Sequence, residues 1–395
     1  MTKLHWNYKD VFRALRLGFS AKKVWMMSLG LLFAFAGYGV LTYVAYTAAG
    51  TDVLTVWQIF RLLPFPSPFD YAFPWYSWLI YAVAVAWFMA AFLITGTAVS
   101  KIAYEQLRGD EFYESKEAFR FAFKNGSAVL ASPLLILAFI ALIVVLGLLL
   151  SLLGAIPVAG EIIVGLLAIV GFVAALFIVY LLVVFLFSLL IGPSVVGATR
   201  SDTFDTLFEV FSCVNEQPAR LIWYTAIVAF LAKAGAFLLG LAASAAGRIA
   251  YAITGSFMGE RLADALSNAA FYFKLSPPDW LPQFAQQCFL AQMNLYGLPQ
   301  VYLPGDYVSV GWSSDIASLL LGVVFYVVAL MVVGYGLSVW FTGMTLNFAV
   351  LAYKKDEKNL LELPEDEEEL IEPVPNEELK DLKPKPVEAK PENPA

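Results

Sequence analysis

Six stretches of the chain are apolar almost without interruption, and the polar residues gather between them. They run over 24–47, 78–99, 128–153, 162–191, 221–244 and 316–340. A helix crosses the hydrocarbon core of a bilayer with roughly 20 apolar residues. Each stretch therefore predicts a membrane-spanning helix. The fourth and sixth exceed that length and must tilt or extend past the bilayer. The first begins only at Val24 and is too long for the roughly 7–15-residue apolar core of a cleavable signal, so it is expected to stay as an anchor.

A second pattern precedes each odd-numbered stretch. Tyr8, Phe12, Leu15 and Phe19 form one stripe and Lys9, Arg13 and Arg16 another. Phe112, Phe119 and Phe123 oppose Lys116, Arg120 and Lys124; Phe204, Phe208 and Phe211 oppose Asp205 and Glu209. Spacings of three and four place each set on one helix face, and such helices lie in the interface plane. Near the ends of the even-numbered stretches a glycine recurs: Ile94-Thr95-Gly96-Thr97, Ile191-Gly192-Pro193-Ser194 and Thr342-Gly343-Met344-Thr345. The expected architecture is an all-α integral membrane fold. Its six transmembrane helices form three hairpin repeats, each preceded by a cytoplasmic interfacial amphipathic helix.

This predicts a membrane domain over 1–352, with repeats at 5–107, 112–199 and 202–352. The third repeat holds an outer insertion over 245–315, with a surface helix near Glu260–Phe273 followed by Pro277, Pro278, Pro282, Pro299 and Pro304. Its aromatic residues, with those of the Pro-rich loop 51–78, are expected to form a cap on the outer surface. The segment 353–395 carries 14 acids against 7 bases and few apolar groups, which predicts a disordered acidic cytoplasmic tail.

Composition agrees with the pattern. Hydrophobic residues make up 60% of the chain and charged residues 14%, with a mean hydropathy of +0.72. A soluble fold cannot hide so much apolar surface. Outside the tail, acids and bases balance, so no basic face is left for nucleic acid. Bases mark the side of the termini: Lys3, Lys9, Arg13, Arg16, Lys22 and Lys23 before the first span, then Lys101, Arg108, Lys116, Arg120 and Lys124 before the third. The positive-inside bias places both termini in the cytoplasm. Cys213 and Cys288 then fall on opposite sides of the membrane. With His5 the single histidine, His- and Cys-based metal sites and His-based triads are excluded. No cofactor is expected.

Few residues carry chemistry. Lys233 lies near the middle of the fifth stretch, where a charge costs roughly 2.5–3.5 kcal/mol on insertion scales. It either faces a polar path or snorkels its ammonium towards an interface. Ala232, Ala236, Gly240 and Ser244 fall four apart and suit close helix packing. Gly96, Gly192, Gly343 and Pro193 are hinge or packing candidates, with Pro193 expected to kink or end its helix. Val333-Gly334-Tyr335-Gly336 has the look of a potassium filter, but it is embedded in one continuous apolar run where helix packing is the plainer reading. Gly192-Pro193-Ser194-Val195-Val196-Gly197 misses a nucleophile elbow by one residue, and Asn125-Gly126-Ser127 is a sequon on the inner side.

The repeated unit, with Leu190-Ile191-Gly192-Pro193-Ser194-Val195 ahead of an acidic amphipathic helix, resembles a loose group of uncharacterised bacterial and archaeal six-span proteins. It also resembles the membrane domain fused to some glycerophosphodiester phosphodiesterases. The likeness covers roughly residues 5–353 outside the insertion. The phosphodiesterase barrel and its acidic metal ligands are absent, so no catalytic residue carries over. The resemblance implies a prokaryotic plasma or inner membrane protein that touches lipid or a partner. The expected function is a non-enzymatic scaffold or accessory subunit, meeting a membrane or cytoplasmic partner through its interfacial helices, outer cap or tail. The alternative is a transporter or channel for a small or amphiphilic solute, with Lys233 lining the path.

Overall fold

The structure is a computed structural model that describes residues 4–67, 73–154, 156, 159–272, 282–283, 286–287, 307–309, 311–357 and 359–362. Among these residues there are helices and no strand. In chain order they are α1 (Tyr8–Val11), α2 (Ala14–Gly18), α3 (Ala21–Ala48), α4 (Val53–Phe60), α5 (Trp75–Arg108) and α6 (Ser115–Lys124). Then come α7 (Gly126–Gly154), α8 (Ala159–Thr199), α9 (Thr203–Glu216), α10 (Pro218–Met258), α11 (Glu260–Tyr272) and α12 (Trp312–Asp356). Six of them, α3, α5, α7, α8, α10 and α12, are long and apolar enough to cross a membrane. The protein is a polytopic helical membrane protein.

The long helices pack as α3 on α5, α7 on α8 and α10 on α12. The even members of these pairs, α5, α8 and α12, also touch one another. Their last turns are buried, and most of the core lies there, at the end of the bundle that holds both ends of the described chain. Trp6 stacks on Tyr353 with ring centroids 4.1 Å apart, so the two ends meet at this terminal end. Away from it, α7 and α8 expose apolar side chains along most of their length, including Leu146, Leu152, Leu166 and Ile169. That is the surface a hydrocarbon solvent tolerates.

Several boundaries differ from the sequence expectation. The single helix expected ahead of the first span is two short helices, α1 and α2, broken at Phe12-Arg13. The break seats Val11, Ala14 and Gly18 against the bundle, and a side chain at Gly18 would stand 2.7 Å from the Val339 backbone. Pro193 does not end its helix: α8 runs on to Thr199. Burial of Ile191, Val195 and Val196 between neighbouring helices holds that last turn in place despite the missing N–H. The fifth span does not stop at 244, because α10 continues to Met258 and takes in the first turns of the expected insertion. The surface helix expected near 260 is α11, which lays Leu262, Ala265 and Ala269 inward and packs on α12. Most of the insertion's proline-rich part lies outside the described residues. The tail begins later than its composition suggests. The chain stays docked through a 3-10 turn at Leu360–Glu362, with Leu360 and Leu361 buried and the Tyr104 hydroxyl donating to Leu360 O at 2.6 Å. The remainder of the tail lies outside the described residues.

Candidate functional site

Of the recurring glycines, Gly96 and Gly343 sit where long helices meet their neighbours. A side chain at Gly96 of α5 would overlap the ring of Phe341 on α12. One at Gly343 would meet Val228 Cγ1 of α10 at 2.7 Å and Ala14 of α2 at 3.2 Å. At Gly197 of α8 it would meet Ser100 Cβ of α5 at 2.8 Å. Gly192 differs: its nearest neighbour is Ser188 Oγ at 4.0 Å, so that position is not needed for close approach. Small residues let helices approach until backbone nearly touches backbone. Hydroxyls then link the helices across the contact. Ser100 Oγ lies 3.3 Å from Ser194 Oγ, and Thr345 Oγ1 lies 3.5 Å from Ser194 Oγ while donating to Phe341 O at 2.8 Å. Asn347 is fully buried and donates to Thr225 Oγ1 at 3.2 Å; its Oδ1 has no partner among the described residues.

A polar layer lies beside this crossing. Lys23 of α3 is 0% exposed. Its Nζ donates to Gln106 Oε1 of α5 at 3.0 Å and to Thr342 Oγ1 of α12 at 3.3 Å. Lys101 is also buried, pairs with Glu105 one turn on, and stands 4.9 Å from the Phe121 ring centroid. Arg108 approaches the other Glu105 oxygen at 3.5 Å. Lys22 Nζ donates to Tyr113 O at 2.5 Å. The layer joins α3, α5 and α12 through charge-assisted bonds, which hold position more firmly than neutral ones, and meets α6 at the Phe121 ring. Sequence reading counted Lys23 and Lys101 only as flanking charges. A signal was present for Lys23: it shares one helix face with Met27, Gly30 and Ala34, all of them buried.

Lys233 is half-buried on α10, between the buried Ala232 and Gly235. The stripe beside it is a packing face: Ala236 is 0% exposed and clusters with Val332 of α12, and Gly240 is buried. The filter-like tripeptide is also packing. Gly334 lies inside the continuous α12, and a side chain there would overlap Ser28 of α3.

An apolar cleft lies elsewhere. With a volume of about 800 Å³, it runs between α3 and α12, walled by Leu31, Phe35, Val40, Tyr326 and Val333, with Leu62 and Leu63 also lining it. Lys233 does not line it. Among the described residues no group of His, Cys, Asp or Glu has the makings of a metal site. Cys213 is buried in α9; Cys288 lies outside the described residues. No family model matches the chain, and neither a curated protein nor a solved structure is significantly similar to it.

Proposed function

We propose that the chain is a non-enzymatic scaffold or accessory subunit of a membrane complex. The closure of α5, α8 and α12 on one another supports this reading. Neighbouring side chains fill the space at Gly96, Gly197 and Gly343, and Ser100, Ser194 and Thr345 bring their hydroxyls together across the contact. A centre packed in that way fixes relative position. A transport path at Lys233 would need a polar route to it, and the cleft does not reach that residue.

Around this centre the chain reads as three copies of one unit, interfacial helix followed by a helical hairpin. Both termini face the cytoplasm of a prokaryotic cell, as the flanking bases favour. Exposed aromatics on the helices before the spans, among them Tyr8, Phe12, Phe123, Phe204 and Phe208, give each unit an apolar stripe for the inner leaflet or a partner.

The test is native mass spectrometry of the full chain released from its own membrane in mild detergent. A stoichiometric protein partner is expected, and replacing Phe204 and Phe208 by Ser is expected to weaken its retention. Isolation of the chain alone, together with solute flux through proteoliposomes containing it, would overturn the proposal.

A further inference from the structure

We propose that the cleft between α3 and α12 holds one acyl chain of an anionic glycerophospholipid, with Arg61 at its rim taking the phosphate.

The shape of the cleft selects a chain. Its wall on α3 extends from Leu31 to Thr47. At 1.5 Å per residue that is about 24 Å. Spread over that length, about 800 Å³ gives a mean cross-section of about 33 Å². A single hydrocarbon chain fits within that section. The lining is apolar except for Tyr43, Thr47 and Tyr326, and both walls belong to helices able to cross a membrane, so the natural occupant is already dissolved around them.

The rim selects the headgroup. Arg61 directly precedes Leu62 and Leu63, which line the cleft. Its carbonyl accepts a bond from the hydroxyl of Tyr43, itself a lining residue. Its guanidinium lies over the Phe271 ring of α11, 4.2 Å from the centroid, and no carboxylate among the described residues forms an ion pair with it. Stacking on a ring face leaves edge N–H donors for a planar bidentate contact, the geometry that suits phosphate. The backbone is strained to hold it there: Arg61 has φ 57° and ψ −123°, a conformation proper to glycine. A charged residue kept in such a conformation beside a ligand-sized cleft is the pattern of a binding position. The adjoining cleft takes one chain through its open side, and the lipid's second chain stays in the bilayer.

The experiment is a lipid titration of the delipidated full-length protein, followed by native mass spectrometry. Phosphatidylglycerol and phosphatidylcholine with identical acyl chains are the probes. The wild-type chain is expected to bind one phosphatidylglycerol about fivefold more tightly than phosphatidylcholine, the size of one basic contact to an anionic headgroup. Arg61→Gly suits the backbone and removes the charge, so it is expected to fold normally and to lose the preference. Val40→Trp fills the cleft and is expected to lose both lipids. Arg248→Gln, an exposed cation on α10, is expected to leave the preference unchanged. Equal binding of both lipids by the wild type, a preference that survives Arg61→Gly, or lipid retained by Val40→Trp would each overturn the proposal.

Discussion

At the scale of single residues, glycine decides how closely these helices pack, and its neighbours decide which glycines matter. Gly96 has the Phe341 ring where a side chain would be, while Gly147 has nothing within 4 Å. Overpacking a filled site costs about 1–3 kcal/mol. An open helical glycine instead gains up to about 1 kcal/mol on becoming alanine. Gly96→Ala is therefore expected to lower the melting temperature in detergent, and Gly147→Ala to leave it unchanged or raise it. Equal effects from the two would show that the α5–α12 contact is not built on Gly96. Sequence position singled out Gly96, Gly192 and Gly343 alike, yet only Gly96 and Gly343 face a neighbour. A recurring motif reports a helix's register in the chain, but not what lies across from each turn. Lys23 went unseen for the same reason, because a basic residue ahead of an apolar run looks like a flank until its partners on α5 and α12 are in view.

At the scale of elements, the long apolar runs made the six helices legible, since a run of that length leaves few alternatives. Their ends were less so. Apolar continuity marks where the bilayer would stop, whereas the ends of α8 and α12 lie among buried residues beyond it. The short helices before the spans read as two-faced and prove to have three faces. In α9, Thr206, Val210, Cys213 and Val214 turn inward, Phe204 and Phe208 are exposed, and Asp205 is exposed beside them. The inward face consists of small and branched residues that periodicity merges with the aromatic stripe. If the aromatic stripe rests in lipid, a chain without Cys213 and Cys288 gives a direct check. In inside-out vesicles, a cysteine at Asp205 is expected to react with a membrane-impermeant maleimide, and one at Phe208 to react far more slowly. Similar reactivity at both positions would place the stripe in water.

At the scale of the whole molecule, α5, α8 and α12 form one closed centre at the terminal end, and the rest is arranged around it. Pairwise neighbours could be anticipated from chain order, but the meeting of α5, α8 and α12 could not, because it joins residues about 100 to 250 positions apart through small side chains that carry little pattern. A scaffold keeps this centre shut, whereas alternating access between α5 and α8 would part it. The most direct measurement is a disulfide between Ser100→Cys and Ser194→Cys, made without the native cysteines and with a protease site inserted between α5 and α6. Oγ atoms 3.3 Å apart place these positions within disulfide reach. The closed centre predicts near-complete cross-linking in resting membranes, so that the cleaved fragments migrate together until reduced. Fragments that separate without reduction would contradict it.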